Sequence, residues 1–324
     1  MKNIAVFTSG GDAPGMNACI RAVVRTCLNS GIRVFGIRRG YEGMIENDIV
    51  EMTSKSVSNI IQNGGTILQT ARSDGFRTPE GRKMAYKNLK KNNIHGVVAI
   101  GGNGTFTGAK IFMEEYPDVA FVGTPGTIDN DLFGTDYTIG YDTAVNTAMH
   151  AIDNIKDTAN AHNRLFFVEV MGRDAGFIAL KTCIATGAEA VLIPETTTDF
   201  DKIIDILERR HRDMKMSSSI VIVAEGDEAG GAFGVAEIAK KRLPDYDIKV
   251  TILGHIQRGG SPTCSDRVLA SRLGMEAVKA LMDGVRGVMI GQQHHDIVYI
   301  PFAQAIKHNQ TINPQMLELV DTLV

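Results

Sequence analysis

The stretch Gly123-Thr124-Pro125-Gly126-Thr127-Ile128-Asp129-Asn130-Asp131 holds the residues best suited to chemistry. It follows the apolar run 119–122, so its turn-forming residues sit at the carboxyl end of a predicted buried strand. In an open α/β sheet that end is where ligands bind. Two carboxylates two residues apart on such a tip can share one cleft. One then takes a proton from a hydroxyl, and the other holds a metal or orients the first. The competing reading is an Asx-turn cluster that only caps loop backbone.

Two glycine loops precede this stretch. Ser9-Gly10-Gly11-Asp12-Ala13-Pro14-Gly15-Met16-Asn17 follows the first strand-length run, and Gly101-Gly102-Asn103-Gly104-Thr105 follows the run 96–100, with Gly108 one turn further on. Glycines let backbone approach a ligand closely, and the free N–H groups of a helix start favour phosphate. One such loop is ordinary tight-turn geometry. Two beside the Asp129 loop point to a polyphosphate site. Beyond them, Met171-Gly172-Arg173, Glu225-Gly226 and Gly254-His255-Ile256-Gln257-Arg258-Gly259-Gly260-Ser261-Pro262 tip three further strands. Arginines there pair bidentately with phosphate, although a lone loop arginine is often only a surface residue. His255 by itself reads as a hydrogen-bonded structural histidine.

The elements that must position these residues are read from periodicity. Apolar runs at 4–8, 34–37, 96–100, 119–122, 165–170, 190–193, 220–224 and 250–253 alternate with helical spacing. Residues 15–30 form one such helix, with Met16, Cys19, Ile20, Val23, Val24, Cys27 and Leu28 on its buried stripe and Gly31 as its stop. Repeated β-α units with continuous apolar strands imply α/β architecture: mainly parallel sheets covered by helices on both faces. The strands are too many for one small sheet, and residues 138–161 read as a long helix after which a new series begins. Two α/β lobes with a cleft between their strand tips are therefore expected. The last twenty residues are expected to form a packed terminal helix.

Composition narrows the classes. A formal net charge of -3 argues against a nucleic-acid binder, and 44% hydrophobic with 22% charged residues is that of an ordinary globular protein. Apolar runs are too short for a membrane span, and residues 4–7 read as a first strand, not a signal peptide. Cys19, Cys27, Cys183 and Cys264 lack metal-ligand spacing and read as buried free thiols of a reducing cytoplasm. No G-x-x-x-x-G-K-[ST] occurs. His211-Arg212-Asp213 lacks the Asn and D-F-G of a protein kinase and reads as a solvated helix end. The loop 102–108 misses the dinucleotide G-x-G-x-x-G spacing by one residue, which leaves a nicotinamide dehydrogenase as the runner-up enzyme class.

On residues 9–17, 125–131, 171–173, 224–226 and 254–262, in order and spacing, the chain resembles the bacterial ATP-dependent 6-phosphofructokinases over nearly its whole length. The resemblance implies two mutually inserted three-layer α/β lobes. The ATP lobe is expected at 1–140 plus about 257–306, and the sugar-phosphate lobe at 141–256 plus about 307–324. It also implies a cytoplasmic homotetramer and Mg2+-dependent transfer of the ATP γ-phosphoryl to the 1-hydroxyl of fructose 6-phosphate. Carried over residue by residue, Asp129 is the general base, with Thr127 on the transferred phosphoryl and Asp131 near the metal. Arg173 and Arg72 stabilise the phosphoryl in flight. Gly11, Tyr41, Arg72, Ser73, Arg77, Gly102, Asn103, Gly104, Thr105 and Gly108 correspond to ATP contacts. Thr127, Ile128, Met171, Gly172, Glu225, His255, Ile256, Gln257 and Arg258 correspond to sugar-phosphate contacts, with Arg164 and Lys249 reaching in from a neighbouring subunit.

The departures from the family are also legible. Its metal-proximal Asp is Asn103, and its substrate-binding Arg is Lys249. Its effector site, for ADP or phosphoenolpyruvate, keeps Arg21, Arg25, Gly187 and Glu189. Expected arginines are Ser54 and Lys156, and the basic cluster before the run 220–224 reads Met214-Lys215-Met216-Ser217-Ser218. Weakened or rewired regulation is the expectation. Gly104 and Gly126, where pyrophosphate-using relatives carry Asp and Lys, favour ATP. A pyrophosphate-dependent enzyme and a non-catalytic sugar-phosphate sensor on the same fold are the alternatives.

Overall fold

The computed structural model describes residues 2–162, 164–214, 218–244 and 246–323. In chain order the elements are β1 (Asn3–Thr8), α1 (Met16–Asn29), β2 (Arg33–Ile37), α2 (Gly40–Glu46), β3 (Ile49–Met52), α3 (Pro79–Lys91), β4 (Gly96–Gly101), α4 (Asn103–Glu115), β5 (Ala120–Pro125) and α5 (Tyr141–His162). The second half continues with β6 (Arg164–Val170), α6 (Phe177–Thr186), β7 (Ala190–Leu192), α7 (Phe200–Met214), β8 (Ser219–Ala224), α8 (Gly231–Arg242), β9 (Asp247–Ile252), α9 (Cys264–Met282), β10 (Val288–Gln293), β11 (Asp296–Pro301), α10 (Phe302–Ala305) and α11 (Pro314–Leu323). Two compact units result. The first comprises residues up to Ile128, Leu132–Thr143 and Arg258–Gln310. The second comprises Asp129–Asp131, Ala144–Gln257 and the segment from Thr311 onward.

In the first unit seven strands run in the order β11-β10-β5-β4-β1-β2-β3. Its five central strands are parallel, and β3 and β11 close the edges antiparallel to β2 and β10. Residues of β1 and β4 are fully buried, as strands covered on both faces must be. The order reverses between β1 and β4, where Ile4 pairs with Gly96 and Thr8 with Ile100. Such a reversal opens a crevice at the carboxyl ends of the two strands. Both sequence-identified glycine loops start there. One face of the sheet is filled by Phe7, Phe35, Phe76, Phe106, Phe112, Phe121 and Phe302 around smaller aliphatics.

In the second unit four strands, all parallel, run β7-β8-β6-β9, with Leu165, Phe167, Val221 and Val223 packed against Leu207, Val235 and Ala239. Parallel strands point their carboxyl ends one way, so the tips after β6, β8 and β9 share one edge.

Several expectations need correcting. Strands β3, β10 and β11 were not anticipated. β3 is short and half-exposed, and the β10–β11 hairpin turns on His294-His295, which carries no Asn-Gly signal. β9 starts at Asp247, three residues before the apolar run, because its first half pairs charged residues along β6. Leu28 is 38% exposed and not on the buried stripe of α1. α11 forms but buries no residue. Cys19, Cys27 and Cys183 are buried thiols, and burial pushes each up to about 12, whereas Cys264 is exposed. The repeated 250–253 and 138–161 boundaries otherwise shift by a few residues, as fraying ends do.

Gly123, inside β5, gives a stability test of this core. A Cβ there would lie 2.4 Å from Phe106 Cε1 and 2.8 Å from Phe302 Cε1, and those two rings stack at 5.1 Å. Gly123→Ala should cost about 1–3 kcal/mol by overpacking. Urea unfolding measures it, and an unchanged midpoint would show that the rings yield freely.

Candidate active site

In the first unit the tips of β1, β4 and β5 are laced by backbone. Ser9 N donates to Ile100 O at 3.0 Å, and Gly126 N donates to Gly101 O at 3.0 Å. The lacing requires a missing side chain, since a Cβ on Gly101 would stand 2.7 Å from Ser9 O and 2.3 Å from Thr105 Oγ1. Gly11 is needed for a different reason. A Cβ there would meet Arg258 Nη1 at 2.5 Å, and the same Nη1 donates to Asp12 O at 3.2 Å. Arg258 therefore belongs with the first glycine loop within this unit.

Gly102, in extended backbone, precedes α4, whose first residue is Asn103. No acidic side chain stands in the first turn, so the positive end of the helix and its unbonded N–H groups are not neutralised from within α4. Asn103 Oδ1 is buried with no hydrogen-bond partner among the described residues. Gly104 faces open space. Tyr41 stacks on Phe76 at 3.9 Å, donates its hydroxyl to Thr105 O at 2.5 Å, and comes within 3.1 Å of where a Cβ on Gly108 would be. It thus braces the α4 loop from within the core. Arg72 is exposed, Ser73 Oγ accepts from Phe76 N at 3.2 Å, and Arg77 reaches 3.8 Å from Asp74. Thr127 and Ile128 are buried, and Thr127 O accepts from Thr138 Oγ1 at 2.6 Å.

In the second unit Asp129 and Asn130 are buried, and Asn130 adopts φ 54. Asp131 is raised to about 6, first by burial and then by the charge of Asp129, with Arg173 pulling the other way. The tip of β6 is shaped by glycine: a Cβ on Gly172 would lie 2.3 Å from Ala175 O, and one on Gly226 2.1 Å from Arg173 O. Arg173 itself has φ 56 and donates its N–H to Glu225 Oε2 at 3.3 Å, leaving its guanidinium exposed. Met171 N donates to Oε1 of the fully buried Gln257 at 2.9 Å. His255 and Ile256 are exposed beside it in the 3-10 turn Gly254–Arg258.

Arg164 and Lys249 are brought together, but not with that tip. Both pair with Asp247, at 2.8 and 2.7 Å, and their cations hold its carboxyl below the usual range. Arg164 opens β6, so it stands six residues, about 20 Å along a strand, from the tip at Val170. Of the effector candidates, Lys156 donates to Thr186 O and to Gly187 O, and buried Glu189 accepts from Ile220 N at 2.6 Å and pairs with Arg210 at 3.1 Å. Burial raises Glu189. Arg21 and Arg25 lie on α1 in the first unit. Residues 215–217 lie outside the described residues. Sequence reading missed two anchors: Asn17, which holds the carbonyls of Asn63 and Gly64 and accepts from Ile67 N, and Asp266, buried at the start of α9. Nothing in the local pattern sets either apart from a solvated helix residue.

Among the described residues no group of three or more His, Cys, Asp or Glu is placed to hold a metal, and no helix is long and apolar enough to cross a membrane. Glycine-bearing strand tips at the reversal of a parallel sheet define an open α/β protein that can receive anionic ligands. The phosphofructokinase family model matches residues 3–281. The ATP-dependent 6-phosphofructokinase 2 of Bacteroides thetaiotaomicron is 55% identical over 100% of this chain and 98% of its own length, and the ATP-dependent 6-phosphofructokinase 1 of Thermus thermophilus is 55% identical over 100% and 99%. The phosphofructokinase of Saccharomyces cerevisiae superposes with a TM-score of 0.90 at 38% identity, covering 95% of this chain. This chain spans 45% of that longer one. A pyrophosphate-dependent phosphofructokinase from Marinobacter aquaeolei, 19% identical over 100% of this chain and 92% of its own, shares the fold with a TM-score of 0.86. The chain belongs to the phosphofructokinase family.

Asp131 supplies a pH test that needs no substrate. With a folded value of about 6 against an ordinary 3.8, its ionisation opposes folding. The penalty is absent below about 3.8, grows up to about 6 and is full above it, on the order of 2–3 kcal/mol. Asp131→Asn should therefore unfold at a higher temperature than the parent at pH 7.5 and at nearly the same temperature at pH 4, in metal-free buffer. Equal offsets at both pH values would refute the shift.

Proposed function

We propose that the protein is a glycolytic kinase that transfers the γ-phosphoryl of ATP to the 1-hydroxyl of fructose 6-phosphate, yielding fructose 1,6-bisphosphate and ADP. The observation that carries this reading is the 55% identity, over the full chain, to proteins named ATP-dependent 6-phosphofructokinase. The first unit is assigned as the ATP-binding lobe, with Gly11, Tyr41, Arg72, Ser73, Arg77 and the loop from Gly102 to Gly108 around the nucleotide. The second is assigned as the sugar-phosphate lobe, with Met171, Gly172, Arg173, Glu225, His255, Ile256 and Gln257; Arg258 is assigned to the same ligand.

Asp129 accepts the 1-hydroxyl proton as that oxygen attacks phosphorus. The bond from the γ-phosphorus to the bridging oxygen breaks, and ADP leaves with that oxygen. Thr127 and the cations of Arg72 and Arg173 meet the charge that spreads over the phosphoryl, since positioning and electrostatics dominate such transfers. Mg2+ is assigned to Asn103 and Asp131. The buried, unpartnered Oδ1 of Asn103 suits a hard cation or its water, and the lack of a protein-built acidic cluster suits an ion that arrives with phosphate oxygens and waters. Bound there, Mg2+ would neutralise phosphate charge.

Gly104 and Gly126 favour ATP over pyrophosphate. Gly126 has Ile100 Cγ2 and Met16 Cε within 3.0 Å of a would-be Cβ, which leaves no room for a lysine stem without repacking. Arg164 and Lys249, remote along the strands from the tip of their own unit, are assigned to a neighbour's site in a cytoplasmic homotetramer. Arg21, Arg25, Lys156, Gly187 and Glu189 are assigned to a weakened effector site. Lys156 already spends its ammonium on backbone carbonyls, and Glu189 is tied to Arg210.

A coupled assay for ADP release, with and without fructose 6-phosphate, tests the reading. Release that requires the sugar phosphate is expected. Activity with pyrophosphate alone, or binding without release, would replace it by one of the alternatives. In the same assay Asp129→Ser should lower turnover about 10²- to 10⁴-fold while nucleotide affinity changes little. Parent-like turnover would remove Asp129 as the base.

Asn103 offers a second test, with binding as the readout. Asn103→Asp places an anionic oxygen where a neutral one stands, so less Mg2+ should be needed to support tight nucleotide binding in a calorimetric titration at fixed ATP. Superimposable Mg2+ curves would show that this position does not reach the ion.

A further inference from the structure

Residues 138–143 lead into α5 in the first unit and are bound on every side. Ile139 N donates to Pro125 O at 2.8 Å and forms a parallel bridge with Gly126. Thr138 Oγ1, 1% exposed as a residue, donates to Thr127 O at 2.6 Å. The far side is held by Asp266 of α9. Its carboxylate accepts from Gly140 N at 2.8 Å, Thr143 N at 2.8 Å and Thr143 Oγ1 at 2.5 Å. The two N–H groups are orphan donors at the start of α5, capped here by a residue 123 positions away in sequence from Thr143. Thr263, which caps α9, returns the contact. Its N–H donates to Thr143 Oγ1 at 3.0 Å and its hydroxyl donates to Asp142 Oδ2 at 2.7 Å.

The first glycine loop rests on the same segment. A Cβ on Gly15 would come within 2.8 Å of Ile139 Cγ2, and one on Gly140 within 2.7 Å of Ala13 Cβ. Gly15 at φ 110 and Gly140 at φ 103 are both left-handed, so neither close approach tolerates another residue cheaply. One stretch of backbone thus fixes both the loop after β1 and the loop after β5.

We propose that Thr138 is a positioning residue for the phosphoryl transfer: it sets the backbone at Thr127, on a segment anchored by Asp266. The inference rests on the kinase reading given above. A hydrogen bond to a carbonyl leaves its amide plane little freedom, and the hydroxyl of Thr127 moves with that plane. Displacement of a reacting group by about 1 Å can cost on the order of a hundredfold in rate. Loss of Thr138 Oγ1 should therefore appear in turnover and not in nucleotide binding.

Thr138→Val replaces the hydroxyl by a methyl of similar volume, and Thr138→Ser keeps it. The expected result is a fall in kcat of about tenfold or more for Thr138→Val, with KM for ATP within about twofold, and recovery in Thr138→Ser. In a Thr127→Ala background Thr138→Val should add nothing. An equal further loss there would make Thr138 merely structural. Thr138→Ala stands in if the valine packs poorly. Amide exchange of residues 126–131 gives a readout independent of activity: it should quicken in Thr138→Val with little change in thermal midpoint. Unchanged exchange overturns the positioning role even in an active enzyme. A parent protein that releases no ADP overturns the kinase reading, and exchange still decides the role of Thr138.

Discussion

The first unit depends on how closely three strand tips can approach once their side chains are removed. Ser9 N donates to Ile100 O and Gly126 N to Gly101 O at the carboxyl ends of β1, β4 and β5, and even a methyl on Gly101 would meet Ser9 O at 2.7 Å. That approach brings the start of α1, the start of α4 and the loop bearing Thr127 into register with one another. The sheet order explains why it occurs here: β1 and β4 are adjacent strands whose crossovers leave in opposite directions, so no helix covers their tips. Helix starts that would otherwise expose unpaired N–H groups become a binding surface for anions.

Much of this was legible because it depends on local rules. Continuous apolar runs bounded by glycine mark parallel strands, and seven of the eight runs begin within one residue of a strand end found in the fold. The family motifs lie on those tips, so the residues proposed for the site were named together with the fold. What escaped reading has physical reasons. Edge strands β3 and β11 are mostly only part-buried and show no clean alternation. The cap that Asp266 gives α5 joins residues more than a hundred positions apart. The left-handed backbone of Arg173 and Asn130 carries no side-chain signature, since Arg is an unusual choice there and Asn an ordinary one. Tyr41 was named from the resemblance as a nucleotide contact. Its bracing of Thr105 and packing on Phe76 were not legible.

The second unit uses the same device with different side chains. The missing Cβ atoms of Gly172 and Gly226 let the chain around Arg173 fold back on itself, so that a backbone bond to Glu225 fixes the arginine while its guanidinium stays in water. Gln257 does the same for Met171, from a fully buried position. In both cases the polar contact is made to backbone, and the side chain of Arg173 or Met171 is not spent on it. Arg164 and Lys249 are organised in the opposite way. Their heads are drawn together by one carboxylate, so a ligand must compete with Asp247 for them or add an anion to a cluster of two cations and one anion. Exposed pairs of this kind are weak, so a phosphate would compete with them readily.

Asn103 is where stability and chemistry pull against each other. An Asp at the first position of α4 would interact favourably with the helix N-terminus by about 0.3–1 kcal/mol and would satisfy its own charge with the first-turn N–H groups. The same interaction would spend those donors on the protein. Asn is a weaker partner for the helix end, and the buried Oδ1 left without a hydrogen bond shows that the side chain is not turned back onto its own backbone. With no acidic residue elsewhere in the first turn, the positive end of α4 remains unneutralised by its own helix. A phosphate group placed there would meet the full field of the helix, and the buried carbonyl oxygen of Asn103 still requires a donor or a cation. A neutral side chain at this position therefore leaves the field of the helix start unopposed toward an anion, and any cation there would depend on charge that the anion itself brings.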